Sequence, residues 1–256
     1  MIKATILGSG TSQGVPVIAC DCHVCQSKDS KDKRLRSSIL IDIDGKNYVI
    51  DSGPDFRQQL LRAEIKNLEG ILFTHEHKDH VAGLDDVRAF NYRQGKPMDI
   101  YCTDRVEQAL KREFHYVFSQ ERYPGIPELK LHRIENKPFE LHPGCEVIPV
   151  EVMHYKMPVL GFRIKGLTYI TDAKTVAEEE LSKLKGTEVL IVNALHHSPH
   201  LSHFNLTEAL EFIDKVEPKK AYLTHISHLF GKHEEIERIL PTNVFPAYDG
   251  LQIELH

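Results

Sequence analysis

Residues 74–80 read Thr74-His75-Glu76-His77-Lys78-Asp79-His80. Three imidazoles and the Asp79 carboxylate fall within six residues, just after the apolar stretch Gly70-Ile71-Leu72-Phe73. Neither helix packing nor solvation calls for that density of ligand-type groups. Imidazole and carboxylate donors together suit Zn, Fe or Mn, and one short loop can supply both ions of a pair. His75 and His77 are two apart, so in extended backbone they point the same way. Asp79 and His80 can face a second ion once the loop turns. An ion needs more ligands than either pair supplies. Three later positions have the right context, an apolar run ending in one metal-type side chain: His154 after 146–152, Asp172 after 167–171 and His225 after 220–224. In α/β folds, sites gather at the carboxyl ends of strands.

A second donor group is Cys20-Asp21-Cys22-His23-Val24-Cys25. Thiolates at C-x-C-x-x-C spacing favour Zn, which takes four ligands. His23 lies inside the loop and is poorly placed to complete the set; on spacing alone Cys102 or Cys145 could serve. The rival chemistry is disulfide exchange at Cys22 and Cys25. Five Cys do not suit a fully paired disulfide scaffold, and Cys102 and Cys145, alone near apolar segments, read as buried free thiols.

The elements that must position these groups are legible as short β-branched runs at 3–7, 38–43, 46–51, 70–74, 98–102, 146–152, 160–164, 167–171, 189–193, 220–224, 244–246 and 251–255. Asp44-Gly45 and Lys165-Gly166 suit hairpin turns. Helical periodicity covers 56–63, 103–116, 175–183, 205–215 and 232–239, with Asp104, Thr175 and Asn205 as N-caps and Pro218 ending the fourth. Strands come first in hairpin pairs and then alternate with helices, which predicts mixed sheets with helices outside. The proline-rich region 117–145 reads equally as a substrate-side flap or a long surface connection. With no compositional break, residues 1–256 are expected to form one domain.

The chain has 256 residues, long enough for a large core, and its net charge is 32 − 37 = −5 with His neutral. An acidic balance argues against nonspecific binding to a nucleic-acid backbone, and no run approaches a membrane span. A cytoplasmic protein without a membrane partner is expected, and a homodimer is compatible with this reading.

The run from Thr74 to His80 matches the HxHxDH signature of the metallo-β-lactamase superfamily, which the chain resembles over essentially its whole length. Gly8-Ser9-Gly10-Thr11 and Asp51-Ser52-Gly53-Pro54-Asp55-Phe56-Arg57 are also similar to that superfamily. Within it the chain most resembles the PhnP-like phosphodiesterase group, through the segment from Gly14 to Cys25, Pro199-His200-Leu201-Ser202-His203, Leu223-Thr224-His225-Ile226-Ser227-His228 and Ala247-Tyr248-Asp249-Gly250-Leu251. The resemblance implies an αβ/βα sandwich with the metals at one edge of two mixed sheets. It implies His75, His77 and His154 on one catalytic ion, Asp79, His80 and His225 on the other, and Asp172 bridging both, the ions being Zn or Mn. It implies a structural Zn held by Cys20, Cys22, Cys25 and His228, pinning the loop 20–25 to the segment that carries His225.

The expected chemistry is hydrolysis of a small phosphodiester, such as a cyclic nucleotide or ribose phosphate, by a hydroxide activated between the two ions. The resemblance implies that His203 contacts the phosphate or protonates the leaving group, with His200 as the rival acid. Asp51 is expected to support metal ligands by hydrogen bonds, and Arg57 to form a structural ion pair. His196 and His197 read as local hydrogen-bonding groups. Ser9-Gly10-Thr11 lacks the pattern of a phosphate-binding P-loop, and its glycines suit a tight turn beside the site. Rival functions are hydrolysis of a carboxylic ester, thioester or lactone, and a non-catalytic accessory role in cofactor biosynthesis. A tRNA 3′-end nuclease would need a basic, Gly-rich arm, and a diiron oxidoreductase a Glu in place of His77; the chain has neither.

The cysteine reading gives a first test. Metal analysis of the fully loaded protein should find one tightly bound Zn beyond two catalytic ions. Two ions only, with three freely titratable thiols, would remove the structural site.

Overall fold

The computed structural model describes residues 2–121 and 124–255. Met1, at the start of the first strand-like run, Arg122 and Tyr123, within the 117–145 connection, and His256 lie outside the described residues. In chain order the strands are β1 (Ile2–Gly8), β2 (Ser38–Ile43), β3 (Lys46–Ile50), β4 (Gly70–Leu72), β5 (Met98–Cys102), β6 (Leu129–Arg133), β7 (Phe139–His142), β8 (Cys145–His154), β9 (Met157–Ile164), β10 (Leu167–Ile170), β11 (Thr175–Val176), β12 (Val189–Asn193), β13 (Lys220–Thr224), β14 (Val244–Pro246) and β15 (Gln252–Leu255).

One sheet has the order β15-β1-β2-β3-β4-β5-β6, and the other β11-β8-β9-β10-β12-β13-β14 with β7 beside β8. Each sheet mixes the two pairings, with helices between its parallel neighbours: β1 to β3 and β8 to β10 are antiparallel, β3 to β6 and β10 to β14 parallel. The hairpin turns lie where the sequence placed them. Asp44 (φ 54°) and Gly45 (φ 85°) close β2 on β3, and Lys165 (φ 52°) with Gly166 closes β9 on β10. Alternation sorts the side chains. Ile39, Ile41 and Ile43 face Phe162, Ile164 and Tyr169 across the space between the sheets. Leu40 and Val49 point outward to the helix Phe56–Ala63, while Leu190 and Leu223 pack on the helix Leu206–Val216. The result is an αβ/βα sandwich. No helix among the described residues is long and apolar enough to cross a membrane.

Three local expectations are corrected. Thr103, rather than Asp104, caps the helix Asp104–Glu113 by accepting from the Val106 N–H; the Asp104 carboxylate instead sits in the first turn, where the helix dipole favours it. Thr175 caps no helix: Thr175 and Val176 pair with Met153 and Val152, and the helix is Glu178–Leu181. β-branched residues beside an available strand edge outweigh the helical pattern there. The 117–145 region contributes β6 and β7 to the two sheets. Asn205 does cap its helix, in a full capping box, and that helix ends at Val216 before Glu217 (φ 52°) and Pro218.

The strand ends converge. His75 lies just beyond β4, His154 ends β8, Asp172 follows β10, His225 follows β13 and Asp51 follows β3. Asp51, Asp172 and His225 adopt φ of 65°, 57° and 56°, a left-handed backbone that costs about 1–3 kcal/mol at a non-glycine residue and persists only where surroundings enforce it. The loop after β3 is threaded against the turn that carries Asp79 and His80: Ser52 N–H donates to His80 O (2.8 Å) and Gly83 N–H to Ser52 O (2.8 Å). A Cβ at Gly53 would stand 2.1 Å from Asp79 O.

Elsewhere the segment 29–36 is locked onto the C-terminal third of the chain. Arg34 is buried, donating to Ser9 Oγ (2.9 Å) and to Ala247 O, and lies 3.4 Å from His233 Nδ1. Burial, with Arg34 and Lys31 nearby, pushes the His233 imidazole down to about 4.

Two outcomes follow. Gly53→Ala should destabilise by about 1–3 kcal/mol or more in chemical denaturation, because backbone rather than a flexible side chain must move. His233 is neutral in the fold at pH values where the unfolded residue is protonated, so stability should fall as pH drops from about 6.5 towards 4. Thermal melts over that range should show His233→Gln with a shallower acid-side loss than the parent.

Candidate metal centre

The histidines of the first loop meet those of later strand ends in a continuous ring-to-ring chain. Ring centroids are 4.2 Å apart for His75 and His80, 4.6 Å for His75 and His77, 5.2 Å for His77 and His154, 4.6 Å for His154 and His203, and 4.8 Å for His203 and His225. Asp172 sits among them. Its Oδ2 is 3.3 Å from His80 Nε2 and 3.5 Å from His225 Nδ1, and its Oδ1 is 3.6 Å from His203 Nδ1. Asp79 Oδ2 lies 3.2 Å from His80 Nε2. Two sets of donor atoms converge within 4.8 Å: His75, His80 and Asp172, and His154, Asp172 and His203. Asp172 belongs to both. This grouping cuts across the partition that the resemblance implies, which puts His75 and His80 on different ions and leaves His203 outside both.

The hydrogen bonds fix which nitrogen of each ring is free. Thr74 Oγ1 donates to Asp51 Oδ2 (2.8 Å), so it accepts from His75 Nδ1 (2.9 Å). His80 Nδ1 donates to Asp51 Oδ2 (2.7 Å), and His154 Nδ1 to Ser202 O (2.8 Å). All three rings therefore present Nε2 to the site, the arrangement in which a partner behind the ring orients a metal-binding imidazole. His75 Nε2 is buried with no hydrogen-bond partner among the described residues, whereas His80 Nε2 faces the Asp79 and Asp172 carboxylates and His203 Nδ1 faces Asp172. Native interiors rarely leave an atom such as His75 Nε2 unpaired, and a divalent ion would satisfy it. His225 Nδ1 stands 3.1 Å from Ser37 Oγ, which itself donates to Gly10 O, and its Nε2 stands 3.2 Å from Thr11 Oγ1.

The charges follow from this packing. Burial disfavours an imidazolium at His80, but Asp172, Asp51 and Asp79 outweigh it and hold its pKa well above the ordinary value. Burial opposes the Asp172 carboxylate too, and His225 and His80 nevertheless keep its pKa well below the usual range. Burial, reinforced by His80, pushes His75 well down. Burial and His225 lower His203 to about 3, against the pull of Asp172. The site is thus a buried carboxylate-imidazole array with most rings neutral and available as ligands.

His77 is exposed and in neither donor set. His200 is half-buried, its ring 5.1 Å from that of His203, and its Nδ1 faces the Ser202 N–H at 3.3 Å. His197 Nε2 contacts Phe230 O at 3.1 Å, whereas His196 Nδ1 is buried without a partner among the described residues. Arg57 forms no ion pair among the described residues; Asp55 pairs instead with Arg36 at 3.0 Å. The hydroxyls of Thr11, Ser37, Thr74 and Thr171, which surround the ligand-type groups, carried no sequence signal beyond the Gly-rich turn that includes Thr11.

Cys20, Cys22, Cys25 and His228 bring one ligand atom each to a second cluster. Cys20 Sγ and Cys22 Sγ lie 3.3 and 3.4 Å from His228 Nδ1. The Cys25 N–H donates to Cys22 Sγ, and with His228 it lowers Cys22 to about 6, while burial pushes Cys25 up to about 11. Cys102 and Cys145 are buried and free, far outside this cluster.

Residues 46–226 match the beta-lactamase superfamily domain. A crystal structure of a diphosphatase from the PhnP family superposes with a TM-score of 0.93 at 38% identity, covering 100% of this chain and 98% of the other. An octanoyltransferase of Porphyromonas gingivalis is 40% identical over 98% of this chain, and the chain spans about half (51%) of that relative's length. Coenzyme PQQ synthesis protein B of Methylobacterium nodulans is 29% identical over 74% of this chain and 72% of its own length. The chain carries candidate metal sites and belongs to the metallo-β-lactamase superfamily and, within it, to the PhnP family.

Proposed function

We propose that the chain hydrolyses a small phosphodiester with two divalent ions, Zn or Mn, and that the observation carrying this reading is the sharing of buried Asp172 by two donor sets beside the unpaired Nε2 of His75. In this proposal His75, His77 and His154 hold one ion, Asp79, His80 and His225 the other, and Asp172 spans them. Ions bound there would lower the pKa of water and stabilise charge developing on the phosphoryl oxygens.

The chain's own groups do the rest. Thr74 and Asp51 accept from the Nδ1–H of His75 and His80 respectively, which keeps Nε2 of both rings turned to the site. His203 is fixed by its neighbour Phe204, whose N–H donates to Ala173 O at 2.7 Å, one residue beyond Asp172. Its ring is neutral in the free protein. An arriving phosphodiester monoanion raises the proton affinity of the adjacent imidazole, so His203 can take up a proton from solvent and deliver it to the leaving oxygen. His200, turned to the Ser202 N–H, is the rival for that role, and Asp79 is proposed to orient the attacking water. The loop site at Cys20, Cys22, Cys25 and His228 is proposed to hold a structural Zn.

The diphosphatase relative supports a second reading, cleavage of a P–O–P linkage at the same site. The acyl-transfer name of the Porphyromonas gingivalis relative is not carried over: that protein is about twice as long, and Cys102 and Cys145 are buried thiols whose pKa burial raises, poor nucleophiles for an acyl intermediate.

His203→Ala should retain its metals and lose about 10²–10⁴ in kcat on an alkyl phosphodiester, with a much smaller loss when the leaving group is p-nitrophenolate or phosphate, which need no proton. Full activity of that variant alongside a dead His200→Ala would swap the roles. Asp172→Ala should instead lower metal occupancy, read by metal analysis. A panel of bis-p-nitrophenyl phosphate, a cyclic nucleotide, a diphosphate and an acyl thioester separates the two readings from carboxylic ester hydrolysis.

A further inference from the structure

A pocket of about 400 Å³ opens beside the candidate metal donors, walled by His77, Arg105, His154, Tyr155, Lys156 and Leu201. That volume suits a small organic ligand. Its most unusual member is Tyr155. His154 and Met157 are register partners, so Tyr155 and Lys156 alone make the turn between β8 and β9. Tyr155 takes φ 56° there, a conformation that Gly, Asn or Asp adopts readily and a bulky ring does not. Its side chain packs into no core: Tyr155 is 51% exposed, and Leu201 across the pocket is 67% exposed. A strained aromatic held out beside a metal ligand gains nothing for folding, and so points to a ligand.

The polar members agree. Lys156 Nζ lies 5.3 Å from the Tyr155 ring centroid. Arg105 Nε donates to Glu76, yet the Arg105 side chain stays 56% exposed. Glu76 offsets part of the Arg105 charge, and Lys156 adds a second cation at the same mouth in a chain whose net charge is −5. A planar, amphipathic ring against Tyr155 and Leu201 uses the apolar walls, because bases stack on aromatic side chains. A phosphate uses the cations, the guanidinium fork above all.

We propose that this pocket holds the non-reacting part of the substrate, a nucleoside whose base lies against Tyr155 and Leu201 and whose second phosphate is bound by Arg105 and Lys156. The proposal rests on the phosphodiester reading and adds the substrate's class to it.

Three p-nitrophenyl esters form the test: methyl p-nitrophenyl phosphate, thymidine 5′-(p-nitrophenyl phosphate), and the same thymidine ester with a 3′-phosphate. KM should fall about tenfold with the base and again with the 3′-phosphate. Tyr155→Ala should abolish the first advantage and Tyr155→Phe keep it. The double variant Arg105→Ala and Lys156→Ala should abolish the second. Tyr155→Gly, which relieves the turn, should lose the base advantage while its Tm holds or rises, a combination that a merely structural Tyr155 would not give. Equal KM across the esters, or advantages that survive these substitutions, would overturn the proposal. Calorimetric binding of thymidine 3′,5′-bisphosphate to the metal-loaded protein separates the two levels. No binding by the parent sinks the pocket assignment. Binding that weakens in the variants, with none of the esters cleaved, upholds the pocket and sinks the phosphodiester reading alone.

Discussion

The site depends on keeping one carboxylate charged where no water reaches it. Asp172 is 2% exposed, and an isolated charge there would be intolerable. The fold surrounds it with imidazoles from four separate chain segments, and those segments come together only when both sheets are complete. Thr171 Oγ1 donates to Asp172 Oδ2 at 2.6 Å, and Asn193 brackets the next residue, accepting from Ala173 N–H and donating to Ala173 O. The left-handed backbone at Asp172 is thus enforced from β12, the neighbouring strand. The cost of that conformation is offset by the sandwich as a whole, which makes the donor array a property of the tertiary fold.

The two metal-type clusters are mechanically continuous. His225 and His228 are three residues apart, and the stretch between them is sewn to the first loop: Ile226 N–H donates to Ser9 O (2.9 Å) and Thr11 N–H to Ile226 O (3.2 Å). The loop 20–25 departs from that same N-terminal segment. Order at the cysteines and order at His225 therefore reinforce one another, although no atom is shared.

Sequence made the donors legible because their signals are local. A run of His and Asp within one turn needs no tertiary knowledge, and neither does a ligand-type residue ending an apolar strand. The hairpins at Asp44 and Lys165 were legible for the same reason. Thr11, Ser37 and Thr74 were not, since a hydroxyl bonds whatever the fold brings to it. Thr175 was misread because its helical periodicity ignores the free edge of β8 that captures it. The turn at Tyr155 has no Gly, Asn or Asp to announce it. Arg57 was expected in an ion pair and has none among the described residues, while its neighbour Asp55 pairs with Arg36, a choice made by loop geometry.

The pairing of β1 with β15 has a consequence of its own. Ile2 and Leu255 are register partners, so the two ends of the described chain emerge side by side at one corner. Gly8, at the far end of β1, leads into Ser9 and Thr11 beside His225, which places that corner a strand's length from the donors. Additional polypeptide joined at either end would leave from the same point and face away from the chemistry. Such architecture suits modular reuse: the fold can be carried as a cartridge in longer chains, or reconnected through a short linker between its own ends, with the edge that carries the donors left clear.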